Sequence, residues 1–315
     1  MKKRIWLIGA GSMAVEYAKV LKSLDVDFWV IGRGKEKAKI FKQNTGVEVI
    51  TGGLSAFILQ AEELPTHAIV ATGVEALAQT TIELIEAGVT QILCEKPGGL
   101  NKNEIEQVAK LAEQKNATVL LAYNRRFYAS VIKAKEIIEE DGGVTSFNFE
   151  FTEWSHIIAT LKKHPGVKES LFLNNSTHVV DLAFYLGGFP KEVKCFTAGG
   201  FEWHPSSSVF AGAGVSETGA LFCYQANWEA PGRWVVEVLT KNHRLYFKPM
   251  EKLMIQKKGS IQLEDVYIDD VIDKSFKPGL FKQVEAFLEN KHQIFISIEQ
   301  QLAQMDIYQK MADYK

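Results

Sequence analysis

Residues 4–14 read Arg4-Ile5-Trp6-Leu7-Ile8-Gly9-Ala10-Gly11-Ser12-Met13-Ala14. An apolar run of strand length stops at a glycine, and a helical apolar pattern follows over Met13–Leu24. The spacing is G-x-G-x-x-A, and each small residue has a separate use. Gly9 suits a tight turn, Gly11 lets the backbone approach a pyrophosphate, and Ala14 allows a helix to pack closely on a strand. Ser12 and Met13 open that helix, where free N–H groups and the helix dipole favour a phosphate. Strand, glycine turn and helix in this order predict a dinucleotide-binding βαβ unit.

The alternation continues. Strands are expected at Phe28–Ile31, Val47–Ile50, Ala68–Ala71, Gln91–Cys94 and Thr118–Ala122, with helices over Leu54–Ala61, Val74–Ala87 and from Asn101 to about Lys115. Asn101 is a good N-cap, with Glu104 three residues on. Six strand-like runs with helices between them predict a doubly wound parallel sheet, a Rossmann domain over residues 1–122.

Ligands of such sheets sit outside the carboxyl ends of the strands, so the residues there are candidates. After the second strand comes Gly32-Arg33-Gly34-Lys35, where an NAD site usually has an acid for the ribose 2′-hydroxyl. Gly32 leaves room there, and Arg33 can fork onto a 2′-phosphate or stack on adenine. NADP(H) is therefore expected over NAD(H). Thr72 ends the fourth strand. Cys94-Glu95-Lys96-Pro97-Gly98-Gly99 ends the fifth, aiming Lys96 at whatever binds; the proline keeps its backbone out of the helical region and admits a cis bond. Tyr123-Asn124-Arg125-Arg126-Phe127 ends the sixth, and Tyr123 and Arg125 are candidate ligand contacts.

From Val144 the period becomes two: Phe147, Phe149 and Phe151 alternate with Ser146, Asn148 and Glu150. Further strands are expected at Val193–Thr197, Ala220–Asn227, Trp234–Thr240, Arg244–Phe247 and Leu253–Gln256, with terminal helices at Gly279–Asn290 and Ser297–Tyr314. This predicts an α+β domain over residues 123–315 with a mostly antiparallel open sheet. Between the strands lies Asn174-Asn175-Ser176-Thr177-His178-Val179-Val180-Asp181, read as a helix capped by asparagine or serine. His178 falls in its first turn, where the dipole favours the neutral ring, and Asp181 shares its face. Phe151–His156, with Trp154 at its centre, is a candidate substrate wall.

With 315 residues, two domains are natural. A formal net charge of -2 gives no basic field, so neither nucleic acid nor an anionic membrane is expected as a partner. Cys94, Cys195 and Cys223 lack metal-ligand spacing; no metal site is expected, and buried thiols in a reducing cytoplasm are. Met1-Lys2-Lys3-Arg4 imitates a signal peptide's charged region, but the apolar run behind it is too short.

Gly9–Ala14, Glu95-Lys96-Pro97, Tyr123–Phe127 and the His178-x-x-Asp181 helix, in this order, make the whole chain resemble the Gfo/Idh/MocA oxidoreductases. The resemblance implies a Rossmann domain, then an α/β domain whose open sheet often forms the oligomer interface, here a homodimer or homotetramer. It implies hydride transfer between a nicotinamide and a secondary alcohol or ketone of a sugar, cyclitol or nucleotide-linked sugar. Lys96 would hold the reacting oxygen and the nicotinamide ribose, with Glu95 beside it. His178 would take the hydroxyl proton, and Asp181 would bind substrate or orient His178. Many members carry an aspartate where this chain has Asn174, which cannot ionise. That departure keeps a second expectation open, a non-catalytic NADP-binding sensor or regulatory protein on the same scaffold.

Overall fold

A computed structural model describes residues 4–314. The basic residues before Arg4 lie outside it, and Arg4 opens the first strand. In chain order the strands are β1 (Arg4–Ile8), β2 (Asp27–Ile31), β3 (Val49–Ile50), β4 (His67–Val70), β5 (Gln91–Cys94), β6 (Thr118–Leu121), β7 (Ser146–Glu150), β8 (Pro190–Ala198), β9 (Val209–Ser216), β10 (Leu221–Asn227), β11 (Val235–Leu239), β12 (His243–Phe247), β13 (Met254–Lys257), β14 (Glu264–Asp265) and β15 (Ile296–Ser297). The chain separates into two compact units. One holds the described residues to Asn124 together with Ser275–Ala303; the other holds Arg125–Lys274 and the residues from Gln304 onward.

The sheet of the first unit has the order β15-β6-β5-β4-β1-β2-β3. β1 to β6 are parallel, as expected, and Ile5, Trp6 and Leu7 in the central β1 are fully buried because helices cover both faces. The order reverses on either side of β1, which opens a crevice at the carboxyl ends. An additional edge strand, β15, runs antiparallel to β6. Two residues carry no periodicity, so the sequence reading missed it. Asn101 caps the helix Lys102–Lys115: its side chain accepts the Glu104 N–H at 3.1 Å, while the Glu104 carboxylate accepts the Leu100 N–H at 2.8 Å.

The second unit carries an eight-stranded sheet, β14-β13-β12-β11-β7-β10-β9-β8, antiparallel throughout except where β10 pairs with β7. Phe147, Phe149 and Phe151 line its inner face against Phe184 of the helix Thr177–Gly187, with Phe149 and Phe184 edge-on at 5.5 Å. Outward residues stay exposed, Phe196 at 70% and Leu221 at 64%. Sequence periodicity missed β9, and the reason is packing. A Cβ at Gly212 would stand 2.5 Å from the Tyr224 ring, and one at Gly214 2.1 Å from the Glu192 carbonyl oxygen and 2.6 Å from the Phe222 ring, so the strand gives up side chains where neighbours already fill the space. β14, another two-residue edge, was missed as well.

All three cysteines are free, but only Cys94 is buried; Cys195 is half-buried and Cys223 exposed, which corrects the expectation of buried thiols. Burial pushes the Cys94 thiol up to about 12, so it is a packing residue rather than a nucleophile. Among the described residues no helix is long and apolar enough to cross a membrane, and no cluster of three His, Cys, Asp or Glu residues is placed to hold a metal.

Candidate functional site

In the first unit the candidates share the carboxyl edge of the sheet. Gly9 comes directly after β1 with φ +126°, and a Cβ there would collide with the carbonyl oxygen of Ala71, at the end of β4. Only glycine fits. Gly11 differs: nothing lies within 4 Å of where its Cβ would be. Its backbone is extended, and the helix Ser12–Ser23 begins beyond it with no side-chain cap and no acidic residue in its first turn. An open cradle in front of a helix N-terminus fits a pyrophosphate, with the N–H groups of Ser12 and Met13 there to hold it. Thr72 is half-buried beside it.

Gly32 is glycine for packing, which corrects the reading that it leaves room for a ligand. A Cβ there would come within 2.9 Å of Val49 on β3. Arg33, the next residue, is exposed, as are Lys35 and Lys37. Its in-plane donors are available to an incoming anion.

The Glu95-Lys96-Pro97 loop is fastened from below. The Tyr17 hydroxyl, on the helix Ser12–Ser23, donates to the Glu95 carboxylate at 2.7 Å and accepts from the Gln283 amide at 3.1 Å. Burial, reinforced by the Glu95 charge, holds the Tyr17 pKa well above its ordinary value, so the phenol stays a donor. The Lys96-Pro97 bond is cis, and the Gly98 N–H returns to the Glu95 carbonyl at 3.1 Å. Lys96 is half-buried at the end of β5. Tyr123, by contrast, is 1% exposed and its hydroxyl donates to Gln301 at 3.3 Å. Its side chain packs inside the first unit.

In the second unit His178 lies on the helix Thr177–Gly187, but that helix does not begin where the sequence suggests. A π-helical turn, Phe172–Ser176, precedes it without a break; Ser176 is already helical and makes no capping bond. His178 is therefore well inside a continuous helix, and the first-turn dipole argument does not apply. The widened turn has its own bonding. The Asn174 amide donates to the Val167 carbonyl at 2.6 Å, and the Asn175 amide and Ser176 hydroxyl donate to Glu153 at 3.0 and 2.8 Å. Single π turns of this kind gather at functional sites.

Asp181 is committed elsewhere. Its two oxygens accept from Nε and Nη2 of Arg126 at 2.9 and 2.5 Å, and both side chains are buried. The Arg126 guanidinium lies 4.6 Å from the Tyr185 ring centroid. This fork pairs both Asp181 oxygens with Arg126 and anchors the helix.

Arg125 and Trp154 join a stack the sequence reading missed. Arg233 lies over both Trp154 and Trp234, at 4.7 and 4.3 Å, and Arg125 over both Trp234 and Tyr128, at 4.7 and 5.9 Å. The His178 ring is 6.2 Å from the Trp234 ring. Glu153 sits beneath, 2% exposed and 3.5 Å from Arg233. Burial raises its pKa to about 7, against the opposing pull of Ser176, Arg233 and Asn175. The local signals were an acid inside an aromatic burst and an Arg-Trp pair just after Pro231-Gly232.

Residues 3–123 match the family model described as an oxidoreductase family with an NAD-binding Rossmann fold. The myo-inositol 2-dehydrogenase of Thermotoga maritima is 23% identical over 198 residues, 59% of this chain and 55% of that protein, so the match spans about half the relative's length. A levoglucosan dehydrogenase solved with NADH and L-sorbose superposes with TM-score 0.78 at 19% identity, covering 99% of this chain and 96% of that one. The UDP-N-acetylglucosamine 3-dehydrogenase of Acidithiobacillus ferrooxidans superposes with TM-score 0.76 at 12% identity, covering 99% and 97%. The nucleotide-binding domain thus matches the Gfo/Idh/MocA oxidoreductase family in sequence over residues 3–123, and the whole chain shares its fold with these solved dehydrogenases.

Proposed function

We propose that the chain is an NAD(P)-dependent dehydrogenase or reductase acting on a secondary alcohol or ketone of a sugar, cyclitol or nucleotide-linked sugar, with NADP(H) preferred over NAD(H). The observation that carries it is the shared carboxyl edge of the first sheet, where the open Gly11 cradle, exposed Arg33 and half-buried Lys96 all end strands. The three similar proteins named above act on a cyclitol, an anhydrosugar and a nucleotide-linked sugar, which supports the substrate class.

The bound nicotinamide supplies a two-electron hydride acceptor or donor. Lys96 offers a cationic donor to the reacting oxygen and lowers the cost of a developing alkoxide. His178 takes the hydroxyl proton, or returns it in reduction, since an imidazole titrates near neutrality. Arg33 receives the 2′-phosphate on its planar fork. Glu95, tied to Tyr17, fixes the direction of the lysine loop. Arg125 and Trp154 hold substrate, while Asn174, bonded to Val167, shapes the turn before His178 and passes no proton. The protein works in the cytoplasm, in keeping with its free thiols, as a homodimer or homotetramer joined through the open sheet face that exposes Phe196 and Leu221.

The test monitors nicotinamide absorbance with either cofactor and a panel of polyols, cyclitols and nucleotide-linked sugars. Substrate-dependent change, faster with NADP(H), is expected. Tight NADP binding with no turnover across the panel would replace the enzyme by the sensor reading, which Asn174 favours.

A further inference from the structure

The Trp154–Arg233–Trp234–Arg125–Tyr128 stack does more than fill space. A guanidinium that stacks on an aromatic ring spends its π-face and keeps its five in-plane N–H donors. Arg233 turns one of these toward Glu153, at 3.5 Å, and its side chain remains 45% exposed. Arg125 makes no side-chain hydrogen bond or ion pair among the described residues, and its Nε is buried without an acceptor. Burial depresses its pKa; Tyr128, Glu251 and Glu153 pull it back up through space, and the like charge of Arg233 adds a smaller downward push. Two guanidinium groups thus share one indole, with a single carboxylate in reach of one of them. A buried guanidinium N–H without an acceptor costs free energy, which an anion between the two guanidinium edges would recover.

We propose that Arg125 and Arg233 form a subsite for a carboxylate or phosphate carried by the substrate, so that the reaction acts on an anionic sugar derivative rather than a neutral polyol. The inference rests on the dehydrogenase reading above and narrows its substrate class. Both fork donors suit planar carboxylates and tetrahedral phosphates alike. Trp154, 49% exposed at the open end of the stack, presents an apolar ring to the C–H face of the sugar. His178, beside Trp234, ties this anion-binding stack to the residue assigned to proton transfer.

Calorimetric titration of the full chain, with NADP present, compares glucose, glucuronate and glucose 6-phosphate. At least one anionic sugar should bind about tenfold or more tighter than glucose, the scale of one charge-assisted contact. Whichever anion wins separates a carboxylate subsite from a phosphate one. Arg125→Gln and Arg233→Gln should each reduce that preference and leave the NADP titration unchanged, which also reports that the variants are folded. Arg233→Lys, keeping charge without the fork, should retain part of it. Equal binding of glucose and both anions, binding of none, or a preference that survives both glutamine variants overturns the subsite. Turnover of neutral sugars with no anion preference would leave the dehydrogenase reading standing and remove this one; anion preference without any turnover would do the reverse.

Discussion

The first unit aligns its candidate groups at the ends of parallel strands; the second gathers its candidates around a single indole. At the sheet edge every position is set by one repeated geometry, so Gly9, Arg33, Thr72 and Lys96 are each found by looking just past the end of a strand. Around Trp234 no such rule holds. Arg125, Glu153, Trp154, His178 and Arg233 come from four separate stretches, brought together by strand pairing: Val235 on β11 faces Glu150 on β7, so the residues before one approach those after the other. A periodic scaffold makes a site legible, while a site built by long-range register is visible only once the register is known.

The largest expected effect concerns the two residues proposed for the chemistry. Lys96→Ala and His178→Ala should each lower turnover by about 10²–10⁴-fold, and His178→Ala should leave cofactor affinity nearly unchanged in titration. Retained turnover in both would break the assignment. The second prediction sharpens the structural side of the indole unit. Asp181→Asn leaves the buried Arg126 without its counter-charge and should cost about 3–5 kcal/mol in denaturant unfolding, far more than a catalytic role alone would require.

A smaller effect concerns pH. Glu153 binds its proton more tightly when folded, with a pKa raised from 4.5 to about 7. Below 4.5 both states are protonated and nothing is lost. Above it the unfolded chain releases the proton first, so stability falls as pH rises to about 7, by up to roughly 3 kcal/mol. Glu153→Gln should flatten that fall in unfolding curves taken across the window; an unchanged slope would show that the carboxyl is not perturbed. The smallest effect belongs to the exposed edge of the first unit. Arg33→Ala should reduce the preference for NADP over NAD by about tenfold, and equal affinities in the parent protein would remove the claim altogether.

The strands and helices of the first unit were legible because glycine is demanded at Gly9 by a positive φ and by the Ala71 carbonyl, and such demands leave marks in spacing. β9 left the opposite mark. Its glycines yield to Tyr224, Phe222 and the Glu192 carbonyl, all outside the strand, so its sequence resembles a loop. The pairing of Asp181 with Arg126, 55 residues away, leaves no mark in local spacing. The bond from the Tyr123 hydroxyl to Gln301, 178 residues on, is equally invisible in the sequence around it. The Arg233-Trp234 pair carried chemistry but no repeat.

The π turn at Phe172–Ser176 has a consequence for how this helix tolerates change in length. A π turn accommodates one residue more than an α turn, and each residue of an α-helix corresponds to about 100° of rotation. Deleting a single residue there would let the helix close into regular α form and remain a good helix. It would also turn Asn175 and Ser176 away from Glu153 relative to His178, so the element would survive with its side chains pointing to the wrong neighbours. Conservative substitutions in this turn should therefore be tolerated far better than a one-residue deletion, and an alignment gap at this point would mark a change of specificity rather than a loss of fold.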